Sequence, residues 1–165
     1  AATVLERISA GGKLVIAHRE SAVPFSYVAS GKPVGYAVDL CLRLAEVVRK
    51  KTGAKDMAVE LVMVSPANRI EMIEQGKADL ECGSTTNNAE RRQKVAFTVP
   101  HFITGARLLT KASSSMDRLE DLQGKTLAST QGTTPLKAVT QANRERLMGI
   151  KIVEAPDHAR GVEMV

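Results

Sequence analysis

Hydroxyl and arginine side chains follow the ends of several short apolar segments in this sequence. Residues 81–92 read ECGSTTNNAERR, so three hydroxyl residues are followed by two arginines. Hydroxyls and backbone N–H groups donate to a carboxylate, and arginine binds one through two parallel N–H donors with fixed geometry. The same residue types are also common in turns and at helix N-caps. The stretch therefore indicates either a helix cap or a site for a small anion.

The apolar pattern that leads to this stretch alternates between strand and helix. We predict strands at 13–17, 59–64 and 78–82, with helices at 37–51 and 68–75. The longer helix has apolar residues at helical spacing and a stop signal at Gly53. A β-α-β-α-β series builds a parallel sheet with helices packed on it.

The alternation resumes after an irregular, proline-containing stretch at 97–105. The expected elements are a strand at 106–110, a helical turn at 119–122, a strand at 126–129, a helix at 135–148, a strand at 150–153 and the start of a helix at 158–165. We therefore predict a first α/β lobe at 1–100, a hinge crossing at 101–105 and a second α/β lobe at 106–165. The second lobe stops inside a helix without a closing strand, so we expect the natural protein to continue.

The candidate binding residues fall where these strands end, which is where open α/β sheets bind ligands. They are Arg19, Ser65, Arg69, Ser84, Thr85, Thr86, Arg91, Thr133, Thr134 and His158. This inventory suits a small ligand with one or two carboxylates. Most of them have an ordinary alternative: Ser84, Thr85 and Thr86 as turn and N-cap residues, Arg69 and Arg91 as solvated helix charges, and His158 as a cap or surface residue. Thr133-Thr134-Pro135 in particular predicts an N-cap with proline at the first helical position.

Other classes of function find little support. The chain has 165 residues and a net charge of +5, but its basic residues are scattered and only two Tyr and three Phe are available for stacking on bases. We therefore expect no nucleic-acid partner. Neither zinc-type spacing nor a complete phosphate loop is present, so we expect no metal and no cofactor. Cys41 lies in a helical apolar pattern and is expected to be a buried thiol, whereas Cys82 ends a strand; the sequence leaves open whether either is disulfide-bonded.

Several of these stretches resemble the periplasmic amino-acid-binding proteins of ABC importers, solute-binding protein family 3, and within it the glutamate/aspartate-binding branch. The matching stretches are HRES at 18–21, VPFSY at 23–27, Gly35-Tyr36 with Asp39, Asn68-Arg69-Ile70, 81–88 with Glu90-Arg91, 105–111, 132–134 and Asp157-His158. The resemblance implies a two-lobe α/β clamp of the type II (Venus flytrap) class, truncated here in the second lobe. It also implies capture of L-glutamate or L-aspartate in the periplasm and delivery to a membrane permease, without enzymatic activity.

The resemblance assigns roles to most of the candidates. Arg91, Ser84 and Thr86 would hold the α-carboxylate, and Thr134 would add a donor from the second lobe. The residues that would face the side-chain carboxylate are Arg19, Arg69 and His158. Ser65 departs from the pattern, because Pro66 stands where relatives often carry serine, and the aspartate that binds the ammonium lies beyond position 165.

Two alternatives use the same fold. One is the ligand-sensing domain of a receptor or regulator. The other is a dehydratase of cyclic acids, which needs a placed general acid or base. Glu20 and His158 are the only candidates for that role, and the sequence shows no orienting partner for either.

Overall fold

The computed structural model describes residues 2–165 and divides them into two compact units. The first unit ends at Phe97 and the second extends from Thr98 to Val165. The predicted lobe boundaries and the hinge at 101–105 stay predictions.

The first unit contains a three-stranded parallel sheet with helices on both faces, as the alternating pattern predicts. Its elements are α1 (Val4–Ser9), β1 (Leu14–His18), β2 (Ser21–Ala22), β3 (Ser26–Ala29), β4 (Lys32–Val34), α2 (Tyr36–Thr52), β5 (Val59–Met63), α3 (Arg69–Glu74), β6 (Leu80–Cys82) and α4 (Ala89–Arg92). The main sheet has the order β5-β1-β6, so β1 is its central strand. The strands β2, β3 and β4 form a small antiparallel sheet.

Side chains alternate across β1, and each face meets its own hydrophobic cluster. Leu14 and Ile16 pack with Ile8 of α1 and with Ala37 and Ala45 of α2. On the other face, a second cluster contains Ala17, Val64 and Ala78, with Met72 and Ile73 of α3 packed against it. The two clusters fix the strand ends where the candidate residues lie.

A buried carboxylate holds α1 against the sheet. Arg7 Nη2 donates to Asp79 Oδ1 at 2.6 Å, and the Val15 backbone N–H donates to Asp79 Oδ2 at 2.8 Å. Arg7 Nη1 also donates to the Lys13 carbonyl oxygen at 2.6 Å. Asp79 therefore links α1, β1 and the start of β6.

The expectation of a buried thiol at Cys41 is wrong, because Cys41 and Cys82 form a disulfide. Cys41 lies on the core side of α2, and Cys82 ends the neighbouring strand β6 with a Cα–Cα distance of 6.4 Å. A helical pattern locates a cysteine on a buried face but does not say which other side chain lies against that face.

The second unit is built around two parallel strands. It contains a 3₁₀ helix at Leu119–Leu122, then β7 (Thr126–Thr130), α5 (Thr134–Glu145), β8 (Lys151–Ala155) and α6 (His158–Glu163). Thr126 aligns with Lys151, and Thr130 with Ala155. Its core contains Leu122, Met148 and Ile150.

The predicted strand at 106–110 is wrong, since residues 98–118 contain neither helix nor strand. A strand needs a neighbour for its backbone N–H and C=O groups. No strand among residues 2–165 pairs with this segment, and residues 101–109 are exposed. Among residues 2–165, no helix combines the length and the apolar composition that a membrane-spanning helix requires.

Candidate functional site

Arg19 and Glu81 lie together at the carboxyl ends of β1 and β6. Arg19 follows β1 directly and is only 1 % exposed, and its backbone N–H donates to Ser26 Oγ at 2.9 Å. Glu81 lies in β6 opposite Ala17. A Cβ at Gly83 would collide with Glu81 Oε1 and lie 3.0 Å from Arg19 Cγ. Because Gly83 has no side chain, Glu81 and Arg19 can occupy this space.

Arg69 is the second buried arginine of this group. It is the first residue of α3 and is 3 % exposed. Burial lowers its pKa from the ordinary value of an arginine to about 10, because the interior solvates the charged guanidinium less well than water does. The negative charge of Glu81 opposes this shift, whereas the positive charges of Arg19 and Arg91 add to it. Arg69 therefore lies close enough to Glu81, Arg19 and Arg91 to interact with all three charges.

Arg91 completes the group from α4 and is partly buried. Burial lowers its pKa, and the carboxylates of Glu81 and Glu90 oppose that shift. Its Nη1 donates to the Thr86 carbonyl oxygen at 2.9 Å. We call Arg19, Arg69, Arg91 and Glu81 the arginine cluster. The cluster contains three positive side chains and one negative side chain, and Glu90 adds a second carboxylate near Arg91.

The stretch 81–92 caps α4, but through Asn88 and not through its hydroxyl residues. Asn88 is the N-cap, and its Oδ1 accepts from the Arg91 backbone N–H at 2.9 Å. The capping interpretation of Ser84, Thr85 and Thr86 is therefore wrong. Thr85 Oγ1 is buried and has no hydrogen-bond partner among residues 2–165, and Ser84 and Thr86 are exposed.

Ser65 has a local structural role at the start of α3. Its backbone N–H donates to Asn68 Oδ1 at 2.8 Å, and the Asn68 backbone N–H donates to Ser65 Oγ at 3.3 Å. These reciprocal bonds close the turn that leads to Arg69. Ser65 thereby helps to position Arg69.

A threonine caps α5, but the N-cap is Thr133, one residue earlier than proline at the first helical position implies. Thr133 Oγ1 accepts from the Leu136 backbone N–H at 3.4 Å and donates to the Thr130 carbonyl oxygen at 2.6 Å. The helix begins at Thr134, so Pro135 occupies the second helical position and the predicted first position is one residue off.

His158 has an orienting partner, contrary to the expectation from sequence. Its Nδ1 shares a hydrogen bond of 2.8 Å with Thr130 Oγ1, and Thr130 is 8 % exposed. Asp157 is the N-cap of α6, and its Oδ1 accepts from the Arg160 backbone N–H at 2.9 Å. The contact unites the end of β7 with the start of α6. The sequence does not show the contact between Thr130 and His158, because it depends on the pairing of β7 with β8.

Comparison with known proteins decides the family. Residues 14–151 match the family of bacterial extracellular solute-binding proteins, family 3. The chain belongs to this family. It is 42 % identical over 159 residues to the glutamate/aspartate import solute-binding protein of Salmonella typhimurium, and 37 % identical over 163 residues to the L-glutamate/L-aspartate-binding protein of Pseudomonas aeruginosa. These matches cover 96 % and 98 % of the chain, and they confirm the resemblance to the glutamate/aspartate-binding branch.

Solved structures confirm the fold of this family 3 protein. A mutant of ArgBP from T. maritima matches with a TM-score of 0.84 at 26 % identity, over 98 % of this chain and 66 % of that one. The ancestral amino-acid-binding protein AncCDT-1, described as a precursor of cyclohexadienyl dehydratase, matches with a TM-score of 0.84 at 27 % identity, over 99 % of this chain and 69 % of that one. The predicted two-lobe α/β binding-protein fold is therefore correct. The chain spans about half the length of the curated relatives it matches, 53 % and 54 % of the two above.

The ten predicted residues of this family 3 protein divide between the units. Those in the first unit are Arg19, Ser65, Arg69, Ser84, Thr85, Thr86 and Arg91, and those in the second are Thr133, Thr134 and His158. Sequence reasoning missed Glu81 and Thr130. Within residues 2–165, no group of three or more His, Cys, Asp or Glu side chains could hold a metal ion.

Proposed function

We propose that this chain captures an acidic L-amino acid, glutamate or aspartate, in the periplasm and delivers it to the permease of an ABC importer. The arginine cluster is the observation that carries this proposal. Two of its arginines are 1 % and 3 % exposed, and the three guanidinium groups lie within one group of interacting charges. Burial of a charged guanidinium costs free energy, and an anionic ligand offsets part of that cost when it binds.

The roles follow from chemistry and from the relatives. Arg91, Ser84 and Thr86 bind the α-carboxylate that every amino acid carries, and the buried Thr85 hydroxyl is a further candidate donor in the same loop. Arg19 and Arg69 bind the side-chain carboxylate, because an arginine fork holds a carboxylate with fixed geometry. The names of the relatives from Salmonella typhimurium and Pseudomonas aeruginosa, which include glutamate and aspartate, support this selectivity. The second unit offers Thr134 and His158 as donors, and their part in binding stays a prediction.

Isothermal titration calorimetry tests the proposal directly. L-glutamate and L-aspartate are titrated into this chain and into the full-length product of its gene, with L-glutamine and L-arginine as controls. We expect saturable heat with the two acidic ligands and at least tenfold weaker binding of the controls, which corresponds to about 1.4 kcal/mol. Tighter binding of L-arginine or L-glutamine would refute the acidic specificity, and no heat from either protein would refute amino-acid capture.

The second candidate is dehydration of a cyclic acid on the same fold. It is favoured by the hydrogen bond between Thr130 and His158, since a catalytic histidine needs such an orienting partner. The matching ancestral protein AncCDT-1 is itself described as an amino-acid-binding protein, and only as a precursor of cyclohexadienyl dehydratase. Glu20, the other candidate, is exposed. We propose that the chain binds its ligand without turnover. Consumption of a cyclohexadienyl acid in the presence of the protein, measured by ultraviolet absorbance, would contradict this proposal.

A further inference from the structure

Gly83 is the first residue after β6 and lies beside Arg19, the first residue after β1. His18 and Cys82 are the last pair in the parallel register of these two strands, so Arg19 and Gly83 lie one residue beyond it on neighbouring chains. The backbone of Gly83 is outside the left-handed region, so other residue types could adopt its conformation. The position is restricted by the space around it and not by its backbone angles.

The backbone on both sides of this space is held in place. The Arg19 backbone N–H donates to Ser26 Oγ at 2.9 Å, and Ser26 is fully buried. On the neighbouring strand, Cys82 is joined by its disulfide to Cys41 of α2. A methyl group added at position 83 would therefore displace side chains more readily than strands.

The side chains that such a methyl group would displace belong to the arginine cluster. A Cβ at position 83 would collide with Glu81 Oε1 and lie 3.0 Å from Arg19 Cγ. The Glu81 carboxylate is the far end of a flexible side chain and can rotate away. Arg19 Cγ is close to the backbone of a side chain that is only 1 % exposed, so a shift there is carried outward to the guanidinium. Binding of a carboxylate by an arginine fork depends on the placement of that group.

We propose that Gly83 is a specificity-determining residue of this site: the absence of a side chain there places the Arg19 guanidinium, and with it the preference for a ligand with a second carboxylate. The inference rests on the proposed function, in which Arg19 binds the side-chain carboxylate, and deepens it. Gly83 acts through Arg19 and is a positioning residue. Because Arg91 of α4 binds the α-carboxylate, a shift of Arg19 affects the second carboxylate more than the first.

Calorimetry on Gly83→Ala, made in this chain and in the full-length product of its gene, tests the inference. We expect L-glutamate to bind about tenfold more weakly, and L-glutamine, measured by displacement, to change by less than about threefold. The matched control is Gly76→Ala. Gly76 has a φ of +66° and no atom within 4 Å of an added Cβ, so alanine there strains the backbone without entering the site. This control should lower the unfolding midpoint and leave the ratio of the two dissociation constants unchanged.

A double-mutant cycle tests the collision itself without any ligand. Glu81→Ala removes the carboxylate that an added methyl group would meet first. The fall in unfolding midpoint caused by Gly83→Ala should therefore be smaller in the Glu81→Ala background than in the unsubstituted protein. Gly76→Ala should lower the midpoint equally in both backgrounds. An equal effect of Gly83→Ala in the two backgrounds would overturn the proposal.

The remaining outcomes separate the inference from the proposed function. Equal weakening of L-glutamate and L-glutamine by Gly83→Ala, or no weakening of either, overturns the inference and leaves the proposed function intact. No binding by the unsubstituted protein overturns the proposed function and the inference with it. If Gly83→Ala does not fold, it is compared in the Glu81→Ala background, where the methyl group still lies 3.0 Å from Arg19 Cγ. The preference for L-glutamate over L-glutamine should fall there too, and an unchanged preference would overturn the inference.

Discussion

The disulfide between Cys41 and Cys82 joins the long helix α2 to β6, the strand that carries Glu81. Cys82 lies between Glu81 and Gly83, the residue over which Glu81 and Arg19 meet. The crosslink therefore anchors the strand end that presents one member of the arginine cluster. It closes a loop over a sequence separation of 41 residues.

The double substitution Cys41→Ser and Cys82→Ser should lower the free energy of unfolding of the first unit by about 4 kcal/mol. This is the value that chain entropy gives for a loop of this length. Denaturant unfolding followed by circular dichroism measures it. Reduction of the unsubstituted protein is the matched control and should produce a loss of similar size. A loss below about 1 kcal/mol in both experiments would show that the crosslink contributes little.

Local patterns were sufficient to predict β1, α2, β5, α3 and β6 of the first unit, but they did not predict α1, α4 or the small antiparallel sheet of β2, β3 and β4. The predicted strand at 13–17 and helix at 37–51 lie within one residue of β1 and α2 at each end. A short apolar run and a helical spacing depend on neighbouring residues in the sequence. The segment 106–110 has the composition of a strand, but a strand also depends on a partner. The disulfide likewise depends on two elements that are distant in sequence.

The site could be predicted only in part, because contacts between elements distant in sequence are not visible in a local pattern. The arginines were found because they follow strands, and strand ends are visible in sequence. Glu81 was missed because a single acidic residue in a strand ordinarily marks a solvent-facing position. Its environment is set by α3 and α4, which the local pattern does not place. Thr130 was missed as the partner of His158 because their contact depends on how β7 and β8 align.

Arg91→Ala should abolish measurable binding of every amino acid. The α-carboxylate is common to all of them, and a buried carboxylate that loses its arginine partner costs several kcal/mol. Calorimetry with L-glutamate and L-glutamine measures the effect. The matched control is Arg92→Ala: Arg92 is the next residue and is exposed, with Nη1 donating to Asn87 Oδ1 at 2.8 Å. Native affinity in Arg91→Ala would show that the α-carboxylate binds elsewhere.

Arg69→Met should stabilise the empty protein and weaken its binding of acidic ligands. Burial lowers the pKa of Arg69 to about 10, so its charged form is disfavoured by about 3 kcal/mol relative to water. An apolar side chain of similar length avoids this cost but leaves Glu81 with less positive charge nearby. We therefore expect a net gain of roughly 1–2 kcal/mol in the free energy of unfolding.

Denaturant unfolding and calorimetry together test this exchange of stability for binding. L-glutamate should bind at least a hundredfold more weakly to Arg69→Met, about 2.7 kcal/mol, whereas L-glutamine should change less. Arg19→Met should show the same preference for the acidic ligand. A loss of stability without any change in the ratio of the two affinities would assign Arg69 to the fold instead of the ligand.

Thr130→Val should release the imidazole of His158 without disturbing the core of the second unit. Valine has nearly the shape of threonine, and Thr130 is 8 % exposed, so the change removes a hydroxyl and little else. Loss of the 2.8 Å hydrogen bond to Nδ1 should cost about 1 kcal/mol in the free energy of unfolding. Nitrogen-15 NMR of the imidazole should show altered Nδ1 shifts, because that nitrogen loses its partner. Thr140→Val, at an exposed position in α5, is the control and should change neither quantity. Unaltered imidazole shifts in Thr130→Val would mean that Thr130 does not orient His158 in solution.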